Sequence, residues 1–105
     1  MKTKIIKGIE YEMETHDYNK TLSEIKIPKG WRLLKPSEAL MIWELEQLDD
    51  WFFVEQVVEK NKDGKVARFN ANSVRAILNC NRDPELRDSC LGVRFCRDLK
   101  KKGKN

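Results

Sequence analysis

At 105 residues with a formal net charge of +4, the chain has room for one domain around one modest core. Its 40% hydrophobic and 36% charged residues are an ordinary soluble composition, and no apolar run approaches the ~18 residues of a membrane span. Four of the cations, Lys100, Lys101, Lys102 and Lys104, lie at the very end. The expectation is a near-neutral single domain at 1–99 followed by a basic disordered tail at 100–105, with nucleic acid not the expected partner.

The first residues hold no apolar stretch of signal-peptide length and no small-residue cleavage site. A cytoplasmic or virion-associated protein is therefore expected. Residues 5–14 alternate from Ile9 onward, with Ile9, Tyr11 and Met13 opposite Glu10, Glu12 and Glu14. That pattern predicts one half-buried strand. A polar stretch follows, in which His16 is expected to be solvated, and Pro28-Lys29-Gly30 marks a turn. Ser37 is the predicted N-cap of a helix over about 38–48, with Glu38 suiting its dipole. Ala39, Met41, Ile42, Trp43, Leu45 and Leu48 predict a wide apolar face on it. Asp49 and Asp50 are expected to end the helix and face water.

Residues 51–59, WFFVEQVVE, are aromatic and β-branched and predict a strand, with Trp51, Phe52 and Phe53 in the core. Asn61-Lys62-Asp63-Gly64 reads as a turn, and residues 65–70 as the returning strand of a hairpin with Ala67 and Phe69 on one face. Residues 72–90 give only weak alternation, broken by Asn and Asp-Pro. Residues 91–99 predict a closing strand. The pattern is α+β, antiparallel strands around one main helix.

Cys80, Cys90 and Cys96 do not have zinc-site spacing. Cys96 is expected to be a small buried apolar residue. Cys80 and Cys90 pair only if the chain works in an oxidising setting, and free thiols are expected. There is one histidine and neither a catalytic triad nor a phosphate loop, so no enzyme activity, cofactor or metal is predicted. Asn79, Asn81, Asp83, Glu85 and Asp88 lie close in sequence, but a calcium site is not expected.

The stretch 68–90 stands apart in composition. Residues 1–67 contain 27 residues drawn from Lys, Glu, Gln, Met and Trp, whereas 68–90 contain one, Glu85. Between Lys65 and Lys100 every cation is Arg, whose planar fork suits fixed bidentate bonding. Arg75, Arg94 and Arg97 are expected to brace loops through backbone carbonyls.

Val74-Arg75, Asn81, Asp83-Pro84, Arg87 and Leu91-Gly92-Val93-Arg94 resemble the C-terminal segment of C-type lectin-like fold domains. The resemblance is to the formylglycine-generating (sulfatase-modifying) family and to the variable proteins of diversity-generating retroelements. Ile27-Pro28-Lys29-Gly30-Trp31-Arg32-Leu33 followed by Pro36-Ser37-Glu38 is similar to the lead-in to the first helix of small bacterial lectin-like domains. The resemblance spans about residues 27–97. It departs at Asn79, where relatives often carry Arg, and at Val93, where they carry Phe. No cysteine precedes Cys80, so the resemblance does not extend to the modifying enzymes' reactive cysteine pair or their oxidase activity.

The resemblance implies a compact C-type lectin-like fold with adjacent N- and C-terminal strands. In the retroelement-borne members, substitution at the two adenines of AAC codons cannot yield Lys, Glu, Gln, Met or Trp, the residues depleted here. It implies a ligand-binding set of Phe69, Ser73, Leu78, Cys80, Arg82, Leu86, Asp88, Ser89 and Cys90. The implied function is display of 68–90 to a protein ligand on a cell or virus surface, with oligomers possible. The alternative is a fixed lectin-like structural or virion subunit without catalytic activity.

Overall fold

The computed structural model describes residues 2–46, 50–55, 66–71, 75–82 and 88–99, with backbone alone at Val66 and at 79–82. Two four-stranded sheets, one α-helix and a short 3-10 helix at Leu22–Glu24 make up this part. The first sheet holds β1 (Thr3–Ile6), β2 (Ile9–Glu12), β3 (Arg32–Leu33) and β8 (Phe95–Asp98), in the order β1-β2-β8-β3. The second holds β4 (Trp51–Val54), β5 (Val66–Ala71), β6 (Ala76–Arg82) and β7 (Leu91–Gly92), in the order β6-β5-β4-β7. All pairings are antiparallel except β4 with β7.

The N-terminal strand is two strands, not one. Lys7 and Gly8 both have positive φ, 50° and 81°, which makes a two-residue hairpin turn whose twist matches its strands. β1 and β2 then pair from Thr3↔Glu12 to Ile6↔Ile9. β2 also pairs with β8, Tyr11 opposite Cys96, so strands from the two ends of the chain lie side by side. β3 covers the other side of β8, Arg32 opposite Cys96.

The helix α1 runs Pro36–Glu46. Its cap differs from the predicted Ser37: the Lys35 backbone N–H donates to Glu38 Oε1 at 2.8 Å, and Pro36 occupies the first helical position, where a missing N–H costs nothing. Glu38 thus acts as the third residue of a capping arrangement. The predicted wide apolar face narrows to buried Ala39 and Ile42, with Met41 and Trp43 partly covered and Leu40 and Leu45 exposed. Predicted helix residues 47 and 48, and the predicted stop at Asp49, lie outside the described residues.

The predicted hairpin appears as β4 with β5, Phe52 opposite Phe69 and Val54 opposite Ala67; its turn at 61–64 lies outside the described residues. The predicted single strand over 91–99 is instead split. β7 belongs to the second sheet and β8 to the first, and the chain crosses between them at Val93 and Arg94. All six residues from Leu91 to Cys96 are buried, because clusters pack on both sides of the crossing. One gathers Tyr11, Leu34, Ile42, Phe52, Phe69 and Cys96. The other gathers Ile25, Leu33, Phe53, Leu91, Val93 and Phe95. Trp31 packs at the edge of the second cluster, while Trp51, expected in the core, is 36% exposed.

Arg32 fastens these parts. It grips Glu38 with both ends of its fork, each at 2.9 Å, and reaches both Asp98 oxygens at 3.2 Å. The Tyr11 hydroxyl donates to the same Glu38 at 3.3 Å. Burial pushes the Glu38 carboxyl up, but the Arg32 fork and the Lys35 N–H outweigh it and leave it below its ordinary 4.5. Asp98, bonded to Arg32, is also held down. Burial, with the Glu38 charge, drives the Tyr11 phenol up to about 12.

Two outcomes follow. A carboxylate depressed in the folded state stabilises it above the unfolded pKa and loses that contribution as pH falls through the folded one. Stability is therefore expected to fall as pH drops from about 4.5 downward, and Glu38→Gln is expected to flatten that acid limb in urea titrations run at several pH values. At Gly92 a Cβ would lie 2.5 Å from the His16 carbonyl oxygen and 2.7 Å from Thr15 Cγ2. Gly92→Ala is expected to lower the unfolding free energy by about 2 kcal/mol, read by the same titration.

Candidate functional site

The frame around 88–94 is set by a buried cation. Arg94 is 2% exposed, and a guanidinium keeps its proton, so its donors must be met by the protein. Nη2 donates to Asp50 Oδ2 at 2.7 Å, Nε to Thr15 Oγ1 at 2.9 Å and Nη1 to the Glu12 carbonyl at 3.5 Å. Its Cζ lies 5.4 Å from the Phe52 ring centre. Asp50, expected to face water, is thus an ion-pair partner that fixes the start of β4.

His16 departs from expectation in the same way. Its Nε2 is 2.7 Å from Glu12 Oε1, and its ring meets Phe95 edge-on at 5.3 Å. Glu12 Oε1 also accepts from the Phe95 backbone N–H at 2.8 Å. The His16 backbone bonds Val93 in both directions. The expected carbonyl bracing by arginine holds in part at Arg94, whereas Arg97 bonds the Glu10 carboxylate at 2.7 Å and covers Trp31 at 4.7 Å.

On this frame sits the turn at 88–90. The Asp88 carbonyl accepts from the Asn19 and Leu91 N–H groups, each at 3.1 Å, and its Oδ1 accepts from the Cys90 N–H at 2.8 Å. That local bonding is what Asp does in turns. Arg68 links the turn to the sheet: its Nη1 is 3.8 Å from Asp88 Oδ2, and its guanidinium lies 5.2 Å from the Trp51 ring centre. Ser89 and Cys90 are exposed at the tip.

β6 carries exposed apolar residues on both sides. Leu78 pairs with Phe69 and Ile77 with Asn70, and neighbours on a strand point to opposite faces. On the α1 side, Leu78, Ala76, Phe69, Leu40, Ser37 and Pro36 line an apolar cleft of about 280 Å³. On the other side, Trp51, Asn70, Ala71, Arg75 and Ile77 line a cleft of about 170 Å³. The Asn70 Oδ1 there is buried with no hydrogen-bond partner among the described residues.

The expected contact residues whose side chains are described fall on more than one face. Leu78 faces the α1 side, while Ser89 and Cys90 follow Asp88, which Arg68 ties to Trp51 on the opposite side. Phe69 is 3% exposed and packs on Phe52 at 5.6 Å, so it is a core residue that only floors the α1-side cleft. Asp88 builds the turn. Cys80 and Arg82 lie on β6 with backbone alone described, and Ser73 and Leu86 lie outside the described residues. Trp51, Arg75, Ile77 and Leu40 were not anticipated. An exposed aromatic opening a strand has no mark in sequence, and the two faces of β6 become assignable only with its register.

Burial raises the Cys96 thiol to about 12, which keeps it protonated and inert; Cys90 is a free, exposed thiol. Among the described residues no three His, Cys, Asp or Glu side chains gather as a metal site, and no helix is long and apolar enough to cross a membrane. No known protein family, curated protein or solved structure gives a match to this chain.

The two arginines flanking the crossing separate by burial. Arg94→Met strands Asp50 and is expected to cost about 3 kcal/mol, the low end for a broken buried pair because Asp50 can rehydrate. Arg97→Ala, at an exposed pair, is expected to shift the urea midpoint far less.

Proposed function

We propose that the chain is a compact domain of C-type lectin-like fold and a ligand-display protein of the diversity-generating retroelement variable type. Its segment 68–90 is a diversified recognition surface for a protein ligand on a cell or virus surface. No catalytic role, cofactor or metal enters this reading. The observation that carries it is the loss of Lys, Glu, Gln, Met and Trp from 68–90, one residue against 27 upstream.

The geometry supports that reading in two respects. The pairing of β2 with β8 is the adjacency of chain ends that the fold requires. Exposed positions of the segment, at Arg75, Ile77, Leu78, Ser89 and Cys90, ride on strands and a turn fixed by Arg68, Asp88 and Arg94. Ordering recognition residues on a rigid frame lowers the entropy lost on binding. Trp51, from outside the segment, supplies a fixed aromatic beside them.

The second reading is a fixed lectin-like structural or virion subunit. The exposed apolar edge at β6 favours it, since assembly surfaces are built from such patches.

Sequencing this gene across a natural population separates the two. The display reading expects substitutions confined to 68–90, at codons derived from adenine-containing templates, with a near-copy of the coding segment close by. They should be frequent at Leu78, Ser89 and Cys90, and restricted to large apolar residues at Phe69. Uniformly low variation along the chain overturns it in favour of the fixed subunit.

A further inference from the structure

Three parts of the chain meet at one end of the first sheet. The Lys7-Gly8 turn closes β1 on β2, and the Leu99 N–H donates to the Gly8 carbonyl at 2.9 Å. β8 therefore leaves the sheet beside that turn, and the sequence runs on into Lys100, Lys101, Lys102 and Lys104. β3 lies on the other side of β8, with Arg32 opposite Cys96. Its lead-in is a turn closed by the Trp31 N–H on the Pro28 carbonyl at 3.0 Å, and every residue from Lys26 to Gly30 is exposed.

The acids at this end are already matched. Glu10 accepts from Thr3 and Arg97, and Asp98 accepts from Arg32. Among the described residues no acid pairs with Lys7, Lys26 or Lys29. The excess charge is thus carried by lysine alone. Aliphatic side chains stand out beside it: Ile27, 42% exposed, between Lys26 and Lys29, and Ile5, 62% exposed, on β1. Ile5 pairs with Glu10 and Glu10 with Arg97, which covers Trp31. Cross-strand partners share a face, so Ile5 and the 28–31 turn flank one row across the sheet.

We propose that this end of the first sheet is a docking surface for an anionic lipid bilayer. Lysine ammonium groups are compact, hydrated point charges that suit a diffuse field of anionic headgroups. Exposed isoleucine adds apolar burial at the boundary between headgroups and acyl chains. A nucleic acid calls for other equipment, arginine forks for its phosphates and open aromatic faces for its bases. Both arginines here are committed to acids, and the Trp31 ring lies under Arg97 at 4.7 Å. β8 sets the orientation. It runs from the crossing at Arg94 to Leu99, five residues or roughly 17 Å of strand. Docking by the lysine end therefore holds the crossing, on which the 88–90 turn is built, away from the lipid. The inference stands on charge and placement and does not depend on diversification.

The experiment is co-sedimentation of the full chain with phosphatidylcholine vesicles carrying about 30% phosphatidylserine, against phosphatidylcholine alone. Binding to the first and not the second is expected, and it should be lost by ~1 M salt, where the screening length is ~3 Å. Lys26→Gln with Lys29→Gln is expected to weaken binding roughly 25-fold, at about fivefold per lysine. Ile27→Ser is expected to weaken it at unchanged charge. Lys20→Gln removes one charge from the loop that bonds Asp88 and is expected to bind as the parent does. On the unmutated chain, amides at 7–8 and 26–30 are expected to gain protection from hydrogen exchange on vesicles, a readout that needs no variant to fold. Equal binding to both vesicles, or to neither, overturns the proposal. So does a loss in Lys20→Gln as large as in Lys29→Gln alone, or tighter binding to duplex DNA than to the anionic vesicles at the same salt.

Discussion

A buried guanidinium has to be answered by acceptors wherever the chain can bring them, and Arg94 governs how the two sheets meet. Its acceptors come from three separate places: the end of β2, the loop at Thr15 and the residue before β4. Each must approach the crossing between β7 and β8 for the charge to be buried at all. The crossing cannot shift without stranding that charge. The hydrogen bonds of Val93 with His16 and the close approach of Gly92 to the same carbonyl follow from that placement. Arg32 does the corresponding work one strand away, tying β3, β8 and the start of α1 through Glu38 and Asp98.

The consequence for the candidate site is a division between frame and surface inside one stretch of sequence. Asp88 spends its oxygens on backbone N–H groups and on Arg68, and Phe69 spends its ring on Phe52. Ser89, Cys90, Ile77 and Leu78 present their side chains outward. Neighbouring positions thus have different physical freedom. A substitution at Ser89 changes a surface, while one at Asp88 removes the turn that holds Ser89 in place.

Some of this was legible in the sequence, and the limit has a physical cause. The β4–β5 hairpin was readable because β-branched and aromatic residues flank a strong turn signal. Buried Cys96 was readable because a free cysteine behaves as a small apolar residue. The Lys7-Gly8 turn was not, because the apolar residues on either side mimic one strand and only Gly8 hints at positive φ. The split of 91–99 was hidden because residues buried on both faces lose the alternation that marks a strand's sides. Asp50 looked like a solvated helix end, since a partner 44 residues away leaves no local trace. The division of the described positions between two faces was hidden for a related reason. Spacing in sequence places Leu78 near Ser89, but strand alternation sends Leu78 to the α1 side, away from the Arg68–Trp51 pair that holds the turn.

The arginine-only composition of 68–97 has two separable origins. Three of these arginines serve an acid and a ring at once: Arg68 with Asp88 and Trp51, Arg94 with Asp50 and Phe52, Arg97 with Glu10 and Trp31. A planar fork does both at once better than a compact ammonium, so packing favours arginine over lysine at those positions. It does not account for the missing Gln, Met and Trp. Exposed strand and turn positions such as Ile77, Leu78 and Ser89 impose no demand that those side chains fail, and Trp51 sits at a comparable exposed position one residue range upstream. Gln, Met and Trp are only eight of the 27 such residues upstream, so it is the loss of the five residue types together, and not of the uncharged ones alone, that carries the reading.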